Sequence, residues 1–273
     1  MERVLSVFCL SYNAFCKVLN FGAAIESRCG FMRRNAAGTG LLIVMFMFVL
    51  LLEPLPVHAS SNLIQQNSSG CRCTSNPAVV TVTILSDVTS GDVIVVGLAF
   101  QQFGAVTPPL TDTRGSAFTL AVTKTDKQGD VAAIYTATLS SSGAETVTVT
   151  FTNSRSPDFN IYEVYVYEVA GVTTKRPVKA TGTGPSGSFH TSKSISFASE
   201  SFLLGVIYYA NTGSKCKPGT GFTLSPATDS CVYGGESMAE YSTRGVSSPT
   251  NFPASSNGID PWAEAGIALK PSK

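Results

Sequence analysis

Short stretches in which apolar residues alternate with threonine or another polar residue recur along the chain from residue 78 onward. Residues 78–85 read AVVTVTIL, and residues 145–152 read ETVTVTFT. A period of two with many β-branched residues is typical of strands that bury one face. Residues 92–101, DVIVVGLAFQ, are almost entirely apolar, which is typical of a strand covered on both faces.

Ten stretches of this kind, separated by glycine-containing turns, predict an all-β chain. No sustained helical period is present outside the apolar run at residues 41–52. We therefore predict a single β-sandwich, jelly-roll-like, of about ten strands. We expect the polar stretches 181–189, 211–231 and 247–261 to be connections. The predicted strands lie at residues 78–85, 92–101, 116–124, 131–139, 145–152, 160–170, 190–198, 201–210, 237–243 and 264–270.

A different pattern occupies the first 59 residues. The sequence MRR at 32–34 is followed by the apolar run 41–52 and by VHA at 57–59. These are the positive head, apolar core and small-x-small exit of a secretory signal, so we predict a cleaved signal peptide at 32–59. Anchoring by the apolar run is the alternative, although a spanning helix needs roughly 20 apolar residues. We interpret residues 1–31, which carry no recognisable motif, as a gene-model extension.

Export and charge together limit the classes of partner. The signal predicts an extracellular or cell-surface location, and the whole chain has a formal net charge of +1. Residues 60–273 hold 14 basic and 15 acidic side chains, without a basic field or a block of like charge. Nucleic acid and anionic lipid surfaces bind basic fields, so we expect no nucleic-acid partner. We expect contact with a membrane only through an uncleaved signal.

Four cysteines follow the predicted cleavage site: Cys71, Cys73, Cys216 and Cys231. An even number in an exported chain predicts two disulfide bonds, for which three pairings are possible. We favour bonds from Cys71 and Cys73 to the two later cysteines, because a bond between Cys71 and Cys73 would close a very tight ring. A zinc site is the weaker interpretation, since the one-residue gap is shorter than the usual spacing of zinc ligands.

The residues between the signal and the first predicted strand are polar. We interpret residues 60–77, which include the Cys-x-Cys pair, as a leader outside the core, and residues 78–273 as the β-sandwich domain. Asn67-Ser68-Ser69 is the only N-glycosylation sequon after residue 59. We predict that Asn67 accepts a glycan, because a sugar is tolerated in a polar leader.

The order of these stretches resembles a known kind of module. GDVIVVGLAF at 91–100, the turn Asp112-Thr113-Arg114-Gly115 and NIYEVYVYEVAGV at 160–172 look like a β-sandwich module of prokaryotic cell-surface and extracellular proteins. The resemblance covers roughly residues 78–270, and it implies a structural or adhesive role. A single secreted module is also similar, more weakly, to subunits of archaeal extracellular threads. Those subunits join when one donates its N-terminal strand to the next.

Motifs that suggest enzymatic chemistry have simpler explanations. GTGPSG at 182–187 matches a phosphate-binding glycine pattern, but strand-like residues follow it where a helix would be needed. His190 is the only histidine after the predicted cleavage site, and no G-x-S-x-G accompanies it. We therefore predict a loop at 182–187, a solvent-facing strand residue at His190, and no nucleophilic enzyme.

Acidic residues that lie near one another in the sequence are candidates for catalytic or metal-binding pairs. Those that flank glycines are predicted to form turns: Asp87 with Asp92, Asp126 with Asp130, and Asp112. Glu163 and Glu168 fall on opposite faces of the strand at 160–170, so they cannot act together there. We therefore predict no catalytic residue, no metal site and no cofactor.

These observations predict a secreted structural or adhesive protein. The leader at 60–77 with VVTVTIL at 79–85 would stay free of its own sheet and add to the open edge of a neighbouring copy or of another surface protein. The alternative is an extracellular carbohydrate-binding module that takes polysaccharide. Its stacking platform would use aromatic residues that strands more often bury, namely Tyr165, Tyr167, Tyr208, Tyr209 and Trp262.

Overall fold

The computed structural model describes residues 61–101, 108–152, 160–184, 189–209, 217–225, 237–243, 248, 250–255 and 261–272. All of them belong to one compact unit, His58–Lys273. The predicted extension and signal peptide, with Cys216 and Cys231, lie outside the described residues. Among the described residues, no helix is both long and apolar enough to cross a bilayer.

The described secondary structure consists of antiparallel β-strands without a helix, which confirms the all-β prediction. The described residues form fifteen strands, where about ten were predicted. They are β1 (Asn62–Cys73), β2 (Ala78–Thr83), β3 (Val93–Gln101), β4 (Leu110–Asp112), β5 (Thr119–Thr125), β6 (Asp130–Thr138), β7 (Thr146–Phe151), β8 (Asn160–Ala170), β9 (Val172–Gly184), β10 (Phe189–Thr191), β11 (Phe202–Tyr209), β12 (Thr223–Leu224), β13 (Ser237–Ser242), β14 (Pro253–Ser255) and β15 (Trp262–Pro271).

Three sheets are stacked as layers. The middle sheet has the order β1-β8-β3-β6-β5, and a three-stranded sheet, β2-β7-β4, packs on one of its faces. A second five-stranded sheet, β12-β13-β11-β15-β9, packs on its other face. A small pair, β10-β14, completes the fold. The β-sandwich prediction is therefore confirmed, with a third layer added.

The middle position explains why β3 has no polar side chain from Val93 to Phe100. Successive side chains of a strand point to opposite faces. On β3, Val93 and Val95 enter the core shared with the second five-stranded sheet, whereas Ile94 and Val96 enter the core shared with the three-stranded sheet. Both sets must be apolar because both faces are covered.

The strands that sequence patterns missed are short or polar. β4, β12 and β14 have two or three residues each, too few to show a period. β1 and β9 are edge strands, and part of the predicted connection at 181–189 belongs to β9. Residues 62–73, predicted as a free leader, form β1 and pair with β8 from Asn62–Ala170 to Cys73–Asn160. Residues 78–83 pair with β7, so both segments expected to stay free lie in sheets of their own chain.

Candidate functional site

Six strands lie at the edges of the three stacked sheets: β1, β5, β2, β4, β12 and β9. An edge strand presents unpaired N–H and C=O groups to which another chain can add, and folded proteins usually block this. Short length is one such block, and it applies to β4 and β12. Proline is another, and Pro108 and Pro109 directly precede β4.

Bulges and charges protect three further edges. β5 has a register shift between Leu120 and Val122, and β1 has one between Leu63 and Gln65. β9 has a register shift opposite Ala268–Lys270, next to Arg176 with a left-handed φ of 54° and to a proline. Bulges twist an edge away from a flat partner, and charged side chains repel one. These three edges therefore have the usual protection against strand addition.

β2 has neither a charge nor a register shift, although Pro77 directly precedes it. Its six residues, AVVTVT, contain no charge and no proline, and they pair with β7 without a register shift. Ala78, Val80 and Val82 are buried, whereas Val79, Thr81 and Thr83 are exposed. The alternation read from the sequence is therefore confirmed. Among the described edge strands longer than three residues, β2 is the one without a charge or a register shift.

Part of the outer side of β2 has no hydrogen-bond partner. The Ile84 N–H donates to the Glu145 carbonyl at 2.9 Å, so even-numbered residues bond to β7 and odd-numbered residues point away from it. On the outer side, the Asn67 side-chain amide donates to the Thr83 carbonyl at 2.7 Å. For Val79 and Thr81, the structure has no such partner among its described residues.

Exposed apolar side chains accompany this edge. The large hydrophobic residues exposed in the described part of the chain are Ile64 (53 %), Val79 (55 %) and Leu85 (79 %). Gln65 and Ser86, the chain neighbours of Ile64 and Leu85, are hydrogen-bonded, so the segments that carry these two residues meet. We name Ile64, Val79, Thr81 and Leu85 the β2 edge patch. Apolar side chains beside unpaired main-chain groups are typical of a protein–protein contact.

A polar network fixes β1 beside this patch. The Gln65 amide accepts from the Ser86 N–H at 2.9 Å and donates to the Ser86 carbonyl at 3.1 Å and to Glu168 at 2.6 Å. Glu168 also accepts from the Thr89 N–H at 2.8 Å. Burial, followed by the charge of Glu168 and a hydrogen bond to it, raises the pKa of Asp92 to about 6. The network ties β1, β8 and the β2–β3 connection together.

The structure differs from the favoured disulfide pairing. It places the sulfur atoms of Cys71 and Cys73 at bonding distance, with 5.3 Å between the two Cα atoms. Residues two apart on a strand point to the same face, and this Cα distance lies within the range that a disulfide spans. The tight ring that argued against the bond is therefore accommodated by β1. The partners proposed for them, Cys216 and Cys231, lie outside the described residues.

The predicted glycan acceptor lies within β1. Asn67 is half-buried, and its Oδ1 accepts from the Ser68 N–H at 2.9 Å. Its Nδ2, the atom that a glycan would modify, is the donor to Thr83 described above. A glycan on Asn67 would therefore adjoin the outer side of β2.

The acidic residues singled out by the sequence behave as turns or as isolated buried groups. Asp126 accepts from the N–H groups of Gln128 and Asp130 at 2.8 and 3.0 Å, and Asp112 accepts from Ser116 at 2.7 Å. These turn predictions are confirmed. Asp92 pairs with Glu168 and not with Asp87.

Glu163 and Glu168 lie on opposite faces of β8, as predicted. Glu163 is hydrogen-bonded to Tyr165 and Ser237 on the side of the second five-stranded sheet. Glu168 points instead toward Gln65 and Thr89. Burial raises the pKa of Glu163, and its two hydrogen bonds offset part of that effect.

The aromatic residues proposed as a sugar platform are core residues, namely Tyr165, Tyr167, Tyr208, Tyr209 and Trp262. Their side chains are buried between layers or under the outer connections, so no ring of the set is presented to a polysaccharide.

His190 lies in β10 opposite Ala254. Gly182–Gly184 end β9, and no helix follows among the described residues.

Sequence patterns missed a buried acidic pair on the outer face of the second five-stranded sheet. Glu240 on β13 and Glu264 on β15 flank β11 from its two sides, opposite Gly205 and Ile207. Each glutamate is flanked in the sequence by apolar or aromatic residues, which is the one signal that the sequence offers. Both side chains are fully buried. The pair is therefore a feature of the interior and not of an open cleft.

Burial controls the protonation of this pair. It raises the pKa of Glu240 to about 8, and a hydrogen bond from the Gly219 N–H at 2.7 Å offsets part of the rise. Burial and then the charge of Glu240 raise the pKa of Glu264, while Ser192 lowers it. Nearby, the Phe252 ring lies directly on the glycines of β11 and β15. Burial therefore favours the neutral, protonated form of both acids beneath this covering.

The remaining features offer no catalytic arrangement in the described part of the chain. No group of three or more histidine, cysteine or acidic side chains is placed there to hold a metal ion. A cleft of about 360 Å³ between β5, β6 and β9 is lined by threonine, alanine and Lys179, without an acid or an aromatic ring. Comparisons with family models, curated proteins and solved structures found no match.

Proposed function

We propose that the protein is an extracellular structural or adhesive protein that joins a partner through main-chain pairing at the β2 edge patch. The observation that carries the proposal is the state of β2, an uncharged edge without a register shift, whose Val79 and Thr81 have no hydrogen-bond partner on the outer side among the described residues. An extended segment that adds to such an edge gains main-chain hydrogen bonds and apolar contacts together. The secretory signal read from the sequence supports a location at the cell surface.

The mode of joining differs from donation of a free leader. β1 is paired with β8 along its length and is held by Gln65 to the β2–β3 connection. Releasing β1 would leave these groups without partners, and each buried polar group left unpaired costs about 1–3 kcal/mol. Adding a strand to the outer side of β2 breaks none of the hydrogen bonds that hold β1. The patch therefore serves as an acceptor edge, and other surface proteins or further copies are the expected partners.

Replacing Thr81 by proline tests the proposal. The Thr81 N–H points away from β7, so proline removes a group that only a partner would use. Thr81→Ala is the matched control, because it shortens the side chain and keeps the N–H. The measurement is the amount of protein retained on intact producing cells and recovered in cross-linked complexes. We expect Thr81→Pro to lose most of that material and Thr81→Ala to keep it.

Thermal melting of the two variants completes the experiment. We expect both to melt within a few degrees of the wild type, since neither change removes a hydrogen bond within the three-stranded sheet. Equal surface retention of Thr81→Pro and wild type, with an unchanged melting temperature, would contradict the proposal. The carbohydrate-binding alternative has no observation in its favour, because the rings that it requires are buried.

A further inference from the structure

We propose that the partner at the β2 edge patch is a second copy of this chain, paired antiparallel about a two-fold axis at Val80. The proposal rests on the function proposed above and names its partner. It joins two three-stranded sheets into one sheet of six strands. A symmetric contact of this kind uses the same surface on both copies, so it closes at two.

The unpaired stretch of β2 has a length that a second copy matches. Asn67 occupies the Thr83 carbonyl at one end, and Pro77, at the other end, has no N–H to offer. Between them, Val79 and Thr81 each present one N–H and one C=O outward. If Val79 of one copy lies opposite Thr81 of the other, each such pair exchanges two hydrogen bonds. The two-fold axis repeats the pair, and every outward group of both residues on both copies is then satisfied.

The side chains also fit a symmetric pair. Val79 and Thr81 are exposed on the same face of β2, so in this register they meet across the joint twice. Both are β-branched, and such residues pack well as cross-strand neighbours. No charged residue lies in β2, so two copies approach without repulsion. A longer foreign strand would carry main-chain groups beyond this stretch that find no partner on β2.

The contact is small, which sets its expected strength. Two residues of main-chain pairing form less than the roughly 1,000 Å² that a stable specific interface buries. We therefore expect a reversible dimer whose population depends on concentration. Display of many copies on a surface would raise the local concentration and favour pairing.

Charge substitutions at the two facing positions test the register. The variant with Val79→Lys and Thr81→Lys places like charges opposite each other twice. The variant with Val79→Lys and Thr81→Glu places opposite charges there, with the same number of changes. Sedimentation of the purified chain over a range of concentrations measures the dimer dissociation constant. We expect about tenfold or greater weakening for the first variant and a change of less than about threefold for the second.

Each outcome has a defined meaning. A wild-type dimer that is lost only in the like-charge variant supports the proposal. Equal behaviour of the two variants, an open series of multimers, or a wild-type monomer at every concentration would overturn it. None of these sedimentation results tests the proposed function, which is tested by the surface retention of Thr81→Pro. If the like-charge variant fails to fold, sedimentation of Thr81→Pro replaces it, and a dimer that persists in Thr81→Pro overturns the inference.

Discussion

Replacing Glu240 by glutamine tests whether burial controls the stability of the second five-stranded sheet. The side chain is fully buried on β13, and its pKa is raised from 4.5 to about 8. Between pH 4.5 and about pH 8, the folded state therefore keeps a proton on Glu240 that the unfolded chain releases. Stability from this group is complete below pH 4.5 and is lost as the pH rises through about 8. Glutamine has the same shape and cannot ionise.

The size of the effect follows from the difference in pKa. A shift of this size corresponds to about 5 kcal/mol once the pH exceeds 8, and to about 3 kcal/mol at pH 7. Glutamine can still accept the Gly219 N–H, but burying its own amide donors costs about 1–3 kcal/mol at every pH. We therefore expect Glu240→Gln to be slightly less stable than the wild type at pH 4.5. At pH 9 we expect it to be more stable by a few kcal/mol.

Thermal melting of both proteins from pH 4.5 to pH 9 measures this crossover. For a domain of this size, each kcal/mol moves the melting temperature by about 2–4 °C. Glu200→Gln is the control, because Glu200 is exposed and its replacement should leave the curve unchanged. Parallel melting curves for Glu240→Gln and wild type over the whole range would refute the reasoning. That result would mean that water reaches the carboxyl group.

Three further predictions concern packing, anchoring and covalent structure. Gly266→Ala should lower the free energy of unfolding by about 1–3 kcal/mol, because a Cβ there would lie 2.4 Å from the Phe252 ring. Adding Phe252→Leu to this variant should relieve part of the loss. If the melting shifts of the two single variants simply add in the double variant, the contact is contradicted. Gln65→Leu should speed hydrogen exchange in β1, measured by mass spectrometry, whereas unchanged protection would show that the network is dispensable. Non-reducing peptide mapping should find Cys71 bonded to Cys73, and linkage of either to another cysteine would contradict the structure.

Local patterns were sufficient to predict the central strands. β3 and β8 are mostly apolar or aromatic on both faces because both faces are covered, although β8 carries Glu163 and Glu168, and each strand was predicted within a residue or two. The turns at Asp112 and Asp126 were also predictable, since a carboxylate that accepts nearby N–H groups acts within a few residues. In both cases the determining interaction is either local or follows from burial alone.

The candidate site could not be derived in the same way. β1 is polar, and its partner β8 lies about a hundred residues away, so no local period marks it as a strand. The edge position of β2 depends on which strands pair with β7, and the sequence of β2 alone does not contain that information. Similarly, Glu240 and Glu264 meet only because β13 and β15 both pair with β11. Each of these features follows from pairing between strands that are far apart in the sequence.

The pairing of β1 with β8 also imposes an order in time. A chain that emerges from its N-terminus presents residues 62–73 early, but residues 160–170 must follow before β1 has a partner. β2 waits in the same way for β7 at residues 146–151. Pairing between distant segments slows folding, because the intervening chain must be ordered first. β1, whose partner lies farthest away along the chain, therefore spends longest unpaired while the chain emerges.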